Sequence, residues 1–113
     1  MAERTKQEPE LSEREAIAFF ERAVNEQGNA TSHFNLATAH YAAHDLDGAL
    51  REFQQAVAQS PGLGQAHYFL GVIHKTRGDK ENARKEFQQV LNSSVHTMLK
   101  SQAMIQLKDM DGK

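Results

Sequence analysis

The sequence predicts an all-α chain, a solenoid of helix-turn-helix units, and three observations predict it. The first is a repeat. Glu52-Phe53-Gln54-Gln55 returns unchanged as Glu86-Phe87-Gln88-Gln89, 34 positions later. At the same offset His33 meets His67, Leu36 meets Leu70, His40 meets His74, Asp45 meets Asp79 and Ala49 meets Ala83. A fixed period of this size marks an architecture in which each unit buries its apolar face against its neighbours. The second observation is periodicity: apolar residues recur at helical spacing, and no segment alternates as a half-buried strand does. The third is composition. With 39% apolar residues, 7% aromatic and no Trp, the core is slim, which suits stacked helices better than a thick sandwich.

Each element follows from local signals. Residues 1–10 are mostly polar and charged with one Pro, and 1–11 predict a disordered tail. Ser12 and Glu15 have capping-box spacing, with Leu11 placed to staple onto Ala16. A first helix, about 13–27, carries Ala16, Ile17, Phe20, Ala23 and Val24 on one face and stops at Gly28, which tolerates a left-handed C-cap. Asn29 caps a second helix, about 30–44. Asp45 caps a third, about 46–59, before Ser60-Pro61-Gly62 breaks the pattern. A fourth helix, about 64–77, ends at Gly78, and Asp79 caps a fifth, about 80–92. Ser93-Ser94 interrupts. A sixth helix, about 95–109, sets Val95, Leu99, Ala103, Leu107 and Met110 on one stripe. Loops of two to five residues make neighbouring helices antiparallel. The expectation is a single domain over 12–110, with units of about 30–63 and 64–97.

In these residues the chain resembles the tetratricopeptide repeat, a 34-residue helix-turn-helix unit. With Ala30 in first place, the family's signature positions fall on His33 (fourth), Leu36 (seventh), Ala37 (eighth) and His40 (eleventh). They continue on Ala49 (twentieth), Phe53 (twenty-fourth), Ala56 (twenty-seventh) and Pro61 (thirty-second). A second unit from Gly64 places His67, Leu70, Gly71, His74, Ala83, Phe87 and Val90 there, with Val95 where Pro is usual. The histidines depart from the family's aromatic residues. Small residues at the eighth, twentieth and twenty-seventh positions let the two helices of a unit approach closely. Ala16, Phe20 and Ala23 precede Ala49, Phe53 and Ala56 by 33, so 13–27 looks like a second helix whose first is absent. Residues 95–110 look like a lone first helix or a cap. The resemblance implies a right-handed solenoid of two full units between an N-terminal helix and a C-terminal capping helix.

Charge and composition exclude several functions. Thirteen basic against 15 acidic residues leave a formal charge of −2, with no basic stripe for nucleic acid and no polybasic membrane anchor. No apolar run approaches the roughly 20 residues that span a bilayer, and the N-terminus has no apolar signal core. The expectation is a soluble protein, most simply cytoplasmic. The absence of Cys removes disulfides, thiolate catalysis and Cys-ligated zinc. Gly62-Leu63-Gly64 lacks the Lys-Ser/Thr and the strand of a phosphate loop. Ser60, Ser93 and Ser94 sit at helix breaks, where capping accounts for them, and Asp45, Asp47, Asp79, Asp109 and Asp111 are turn or terminal residues that read as caps and solvated charge. No catalysis and no cofactor are expected.

Six histidines open a further reading. His40 and His44 stand four apart on the second helix, a spacing that can hold a metal, and imidazole titrates near neutrality. Packing in place of aromatic residues explains them without either role, so no metal site is assigned.

The resemblance implies a concave groove lined by the first helix of each unit. Carried over, its residues are Thr31, Phe34, Asn35, Thr38 and Tyr41, then Gln65, Tyr68, Phe69, Val72 and Lys75. Some members grip a C-terminal carboxylate with Lys, Asn and Arg on these helices. Here those positions hold Phe34, Thr38, Gln65 and Phe69, which rejects such a clamp. The expected function is a protein-interaction adaptor that binds a peptide or helix of a partner protein. The alternative is a homo-oligomer formed through the end helices, where Met98, Met104 and Met110 make an adaptable surface. The sixth helix could also shield part of the groove.

Overall fold

The 34-residue offset reappears in the backbone. The computed structural model describes residues 11–111, as six helices: α1 (Leu11–Glu26), α2 (Ala30–Ala42), α3 (Leu46–Gln59), α4 (Gly64–Thr76), α5 (Lys80–Asn92) and α6 (Thr97–Asp111). Among the described residues there is no strand. Each helix packs chiefly on its sequence neighbours, most closely within the α2–α3 and α4–α5 hairpins. The radius of gyration is 15.2 Å and the extents are 47 × 34 × 23 Å. A spherical domain of this length would have a radius near ~13 Å, so the molecule is elongated, as a stack of hairpins requires.

The two hairpin turns are copies. In the first, the Asp45 amide donates to His40 O at 2.9 Å and the His44 amide to Tyr41 O at 3.0 Å. In the second, Asp79 donates to His74 O at 2.9 Å and Gly78 to Lys75 O at 3.0 Å. This is the Schellman arrangement, whose closing residue is left-handed. Gly78 takes it at φ 82 and His44 at φ 65. Glycine is unstrained there, whereas an L-residue with a Cβ is held at a cost of about 1 kcal/mol. The caps follow. Asp45 Oδ1 accepts from the Gly48 amide at 3.0 Å, and Asp79 Oδ1 accepts from the Asn82 amide at 3.2 Å. Asn29 and Ser32 form a reciprocal capping box, each side chain accepting from the other's amide at 2.9 Å.

The core lies in two clusters. One holds Ala37, Ala49, Phe53, Ala56, Ala66, Leu70 and Ile73, and so joins the first hairpin to α4. The other holds Ala83, Phe87, Val90, Ala103 and Leu107, and joins α5 to α6. The small residues have the expected effect. A Cβ placed on Gly71 would lie 2.6 Å from the Phe87 ring, so α4 and α5 are closer than any larger residue permits.

Several local expectations give way. The predicted tail lies outside the described residues, apart from Leu11, which begins α1. Ser12 is therefore inside the helix rather than its cap; an end residue adds a single hydrogen bond, so boundaries shift by a turn fraction easily. Gly28 is not left-handed, because α1 ends at Glu26 and an extended Asn29 starts the next helix. α2 ends at Ala42, so His44 leaves the helix for the turn and the spacing with His40 on one helix is lost. α6 begins at Thr97, not Val95, since Ser93 Oγ caps back onto Val90 O at 2.7 Å and holds the chain extended there. Val95 still packs against the second cluster.

Candidate functional site

The residues expected to line a groove separate into three groups. The first is polar and lies on α2. Thr31 is exposed in its first turn, and Asn35 lies one turn on. Both line a cleft of about 400 Å³ whose apolar wall comes from Phe19, Phe20 and Ala23 of α1. Thr38 donates from Oγ1 to the Asn35 carbonyl at 2.8 Å. Among the described residues no partner takes up the Asn35 side-chain amide.

The second group is aromatic. Phe69 stacks on Phe53 with centroids 4.9 Å apart and rings 6° from parallel. Tyr41 meets Phe69 edge-on at 5.2 Å, and Phe34 meets Phe53 at 5.5 Å. Phe34, Tyr41 and Phe69 are thus half-buried parts of the joint between the first hairpin and α4. Edge-to-face and offset contacts of this kind add about 0.5–1.5 kcal/mol each beyond burial. These rings hold the hairpins in line and are only partly exposed.

The third group lies against α6. Lys75 donates from Nζ to Gln106 Oε1 at 2.7 Å and to Asp109 Oδ2 at 2.9 Å. Gln106 Nε2 donates to Tyr68 Oη at 3.4 Å, and Tyr68 sits edge-on to Phe87 at 5.5 Å. Val72 packs against the second cluster, and Gln65 is exposed at the start of α4. α6 therefore engages the polar ends of Tyr68 and Lys75. The cleft residues of α1 were not among the expected site residues, although their second-helix pattern without a first helix is the signal that marks them.

The histidines carry structure. His33 Nδ1 lies 2.6 Å from Glu52 Oε1 and His67 Nδ1 lies 2.7 Å from Glu86 Oε1, a bond repeated in both units. His40 Nδ1 is 3.0 Å from Asp45 Oδ2 but off the axis of a hydrogen bond, and is buried. Among the described residues no three His, Asp or Glu side chains converge to hold a metal. His67 differs from His33 in a second contact, Nε2 to Pro61 O at 2.7 Å. In the first unit the matching carbonyl, Gln27 O, is taken by Ser32 Oγ at 2.8 Å, where the second unit has Ala66. With the Glu86 carboxylate on Nδ1 and the Pro61 carbonyl on Nε2, the imidazolium form can donate to both.

The Glu86 carboxylate, outweighing burial, and then the Pro61 carbonyl hold its pKa above the usual histidine value. A raised folded pKa contributes stability that is full below the unfolded value, about 6.5, and is lost as pH rises through the folded one. Urea midpoints are therefore expected to fall between pH 6 and pH 8.5, and His67→Gln to flatten that decline; an equal decline in the variant would contradict the assignment.

A row of helical hairpins with a small-residue core and an uncovered polar face defines a repeat scaffold, the class of protein whose surfaces serve recognition. The sequence profile of the tetratricopeptide repeat matches residues 34–94, more than half of the 113 residues, and the chain belongs to that family. No curated protein sequence matches this one. Among solved structures, MamA superposes with a TM-score of 0.76 at 18% identity, over 88% of this chain and 59% of that one. This chain thus spans a little over half of MamA's length, and the likeness is one of fold. Tetratricopeptide repeats in general mediate protein–protein interaction. Among the described residues no helix is long and apolar enough to cross a membrane.

Proposed function

We propose that the chain is a non-catalytic adaptor that binds a peptide or helix of a partner protein along the concave face of α2 and α4. The observation that carries this reading is the cleft of about 400 Å³ beside α2. Its wall of Phe19, Phe20 and Ala23 can take an apolar anchor, and Asn35 and Thr31 at its edge can bond the backbone that carries the anchor. The face extends over Thr38, Tyr41, Phe34 and Phe69 to Gln65. Tyr68, Val72 and Lys75 contribute less, since α6 already engages them. The ligand is a short apolar-anchored segment rather than a charged C-terminus, because no basic clamp is present at the matching positions.

The test is a peptide-display selection on the folded chain. Binders from wild type that are lost on Asn35→Arg or Thr31→Arg, in variants with unchanged melts, support the groove. Binders equally retained by both variants, or a selection that yields none, refute it.

A second reading, self-association through the end helices, is favoured by a specific observation. Among the described residues, Phe19 at one end and Met98, Met104 and Ile105 at the other are the exposed large apolar side chains, each at least 59% exposed.

A further inference from the structure

The two ends of the stack are complementary halves of one unit. In both complete units the seventh and eighth positions of the first helix are buried against the second helix: Leu36 and Ala37, then Leu70 and Gly71. The fourth and eleventh positions face the same way. At the same 34-residue offset, α6 carries Ser101, Met104, Ile105 and Lys108 at these four places, and all four are exposed. α6 is seated on α5 through Ala103 and Leu107 alone among its buried residues, as a first helix is seated on the preceding unit. Its face for a second helix is open. α1 shows the converse. Ala16, Phe20 and Ala23 match Ala49, Phe53 and Ala56, which are fully buried, yet all three are partly exposed. The cleft of about 400 Å³ lies on that side of α1.

We infer that α6 of one copy docks into the cleft beside α1 of a second copy, so that the two helices complete a helix-turn-helix unit and chains join head to tail. This rests on the self-association reading above. The matching positions agree in chemistry. Within the chain, the fourth-position His bonds a Glu on the second helix, His33 to Glu52 and His67 to Glu86. In the joined unit the same two places hold Ser101 and Phe19, so histidine and acid are both replaced and no buried charge is left unpaired. His40 of α2 sits against Gly48 of α3, where an added Cβ would lie 2.8 Å from Nδ1. The joined unit places Lys108 opposite Glu15, a pair of opposite charge, at these positions.

Ile105 sets the strength. It occupies the place of Ala37 and Gly71, where a Cβ on Gly71 already meets the Phe87 ring. Against Phe20 it holds α6 further off than within a unit, so the junction is weak and concentration-dependent. The contact is heterologous, one surface meeting a different one, so addition does not stop at two copies.

The experiment is sedimentation equilibrium of the whole chain, of Phe19→Asp and of Ile105→Asp, alone and mixed. Both substituted residues are exposed (59% and 65%), so the variants are expected to keep wild-type melts. Wild type is expected to pass beyond the dimer as concentration rises toward about 1 mM. Each variant alone is expected to stay monomeric. Their equimolar mixture is expected to form a dimer and no more, because one intact head and one intact tail remain. A wild type that stays monomeric overturns this junction and the self-association reading together. A wild type that stops at the dimer, variants that assemble as wild type does, or a mixture that stays monomeric overturns the junction and leaves other modes of self-association standing.

Discussion

Removal of residues 95–113 is expected to abolish the cooperative unfolding transition rather than lower its midpoint slightly. α6 supplies Ala103 and Leu107 to the second core cluster, and Leu99, Met110 and the preceding Val95 pack around it. Its loss uncovers Val90 and the side of Phe87 that α4 does not cover. Burying one large apolar side chain contributes about 1.5–3 kcal/mol, and four are involved, some only partly buried. The sum is comparable with the whole stability of a domain, about 5–15 kcal/mol. The exposed ion pairs from α6, Lys75 to Asp109 and Arg84 to Asp111, add little beside it. Thermal circular dichroism of residues 1–94 checks this. A cooperative melt at the full-length temperature would show that α6 is an accessory.

Phe53→Ala is expected to be the most damaging single substitution, and more damaging than its repeat counterpart Phe87→Ala. Both rings are fully buried, and truncating such a residue costs about 3–5 kcal/mol in lost transfer energy and cavity. Their surroundings differ. Phe53 stacks on Phe69 and meets Phe34, at 4.9 and 5.5 Å. Phe87 has one aromatic neighbour, Tyr68, at 5.5 Å. The extra ring contact separates the two by about 0.5–1.5 kcal/mol. Equilibrium urea unfolding of both variants measures the difference. Equal losses would mean that the stacking adds nothing beyond area, and a larger loss for Phe87→Ala would mean that its tight seat over Gly71 dominates.

The parts of this protein legible in its sequence are those governed by local rules repeated in register. The caps at Asn29, Asp45 and Asp79 and the left-handed Gly78 each rest on a few adjacent residues. The core positions Ala49, Phe53 and Ala56 recur on helical spacing. What failed was where two local signals competed. Ser12 has the chemistry of a cap, yet the helix starts before it. His44 has the spacing of a helical metal ligand, yet it closes a Schellman turn, in the place Gly78 holds one repeat later.

The sequence by itself determined the all-α class, the number of helices, their pairing into hairpins and the family. The reason is that a 34-residue period repeats one buried pattern, and each helix needs only its chain neighbour to bury its face. Only the tertiary structure decided which expected groove residues are accessible and where the cleft lies. Phe34, Tyr41 and Phe69 became a joint between hairpins, and Lys75 became an anchor for α6. The cleft came instead from Phe19 and Phe20 on α1. Those outcomes depend on side chains from helices that lie far apart in sequence meeting across the stack, and such meetings follow the distance and angle between helices, which no single segment encodes.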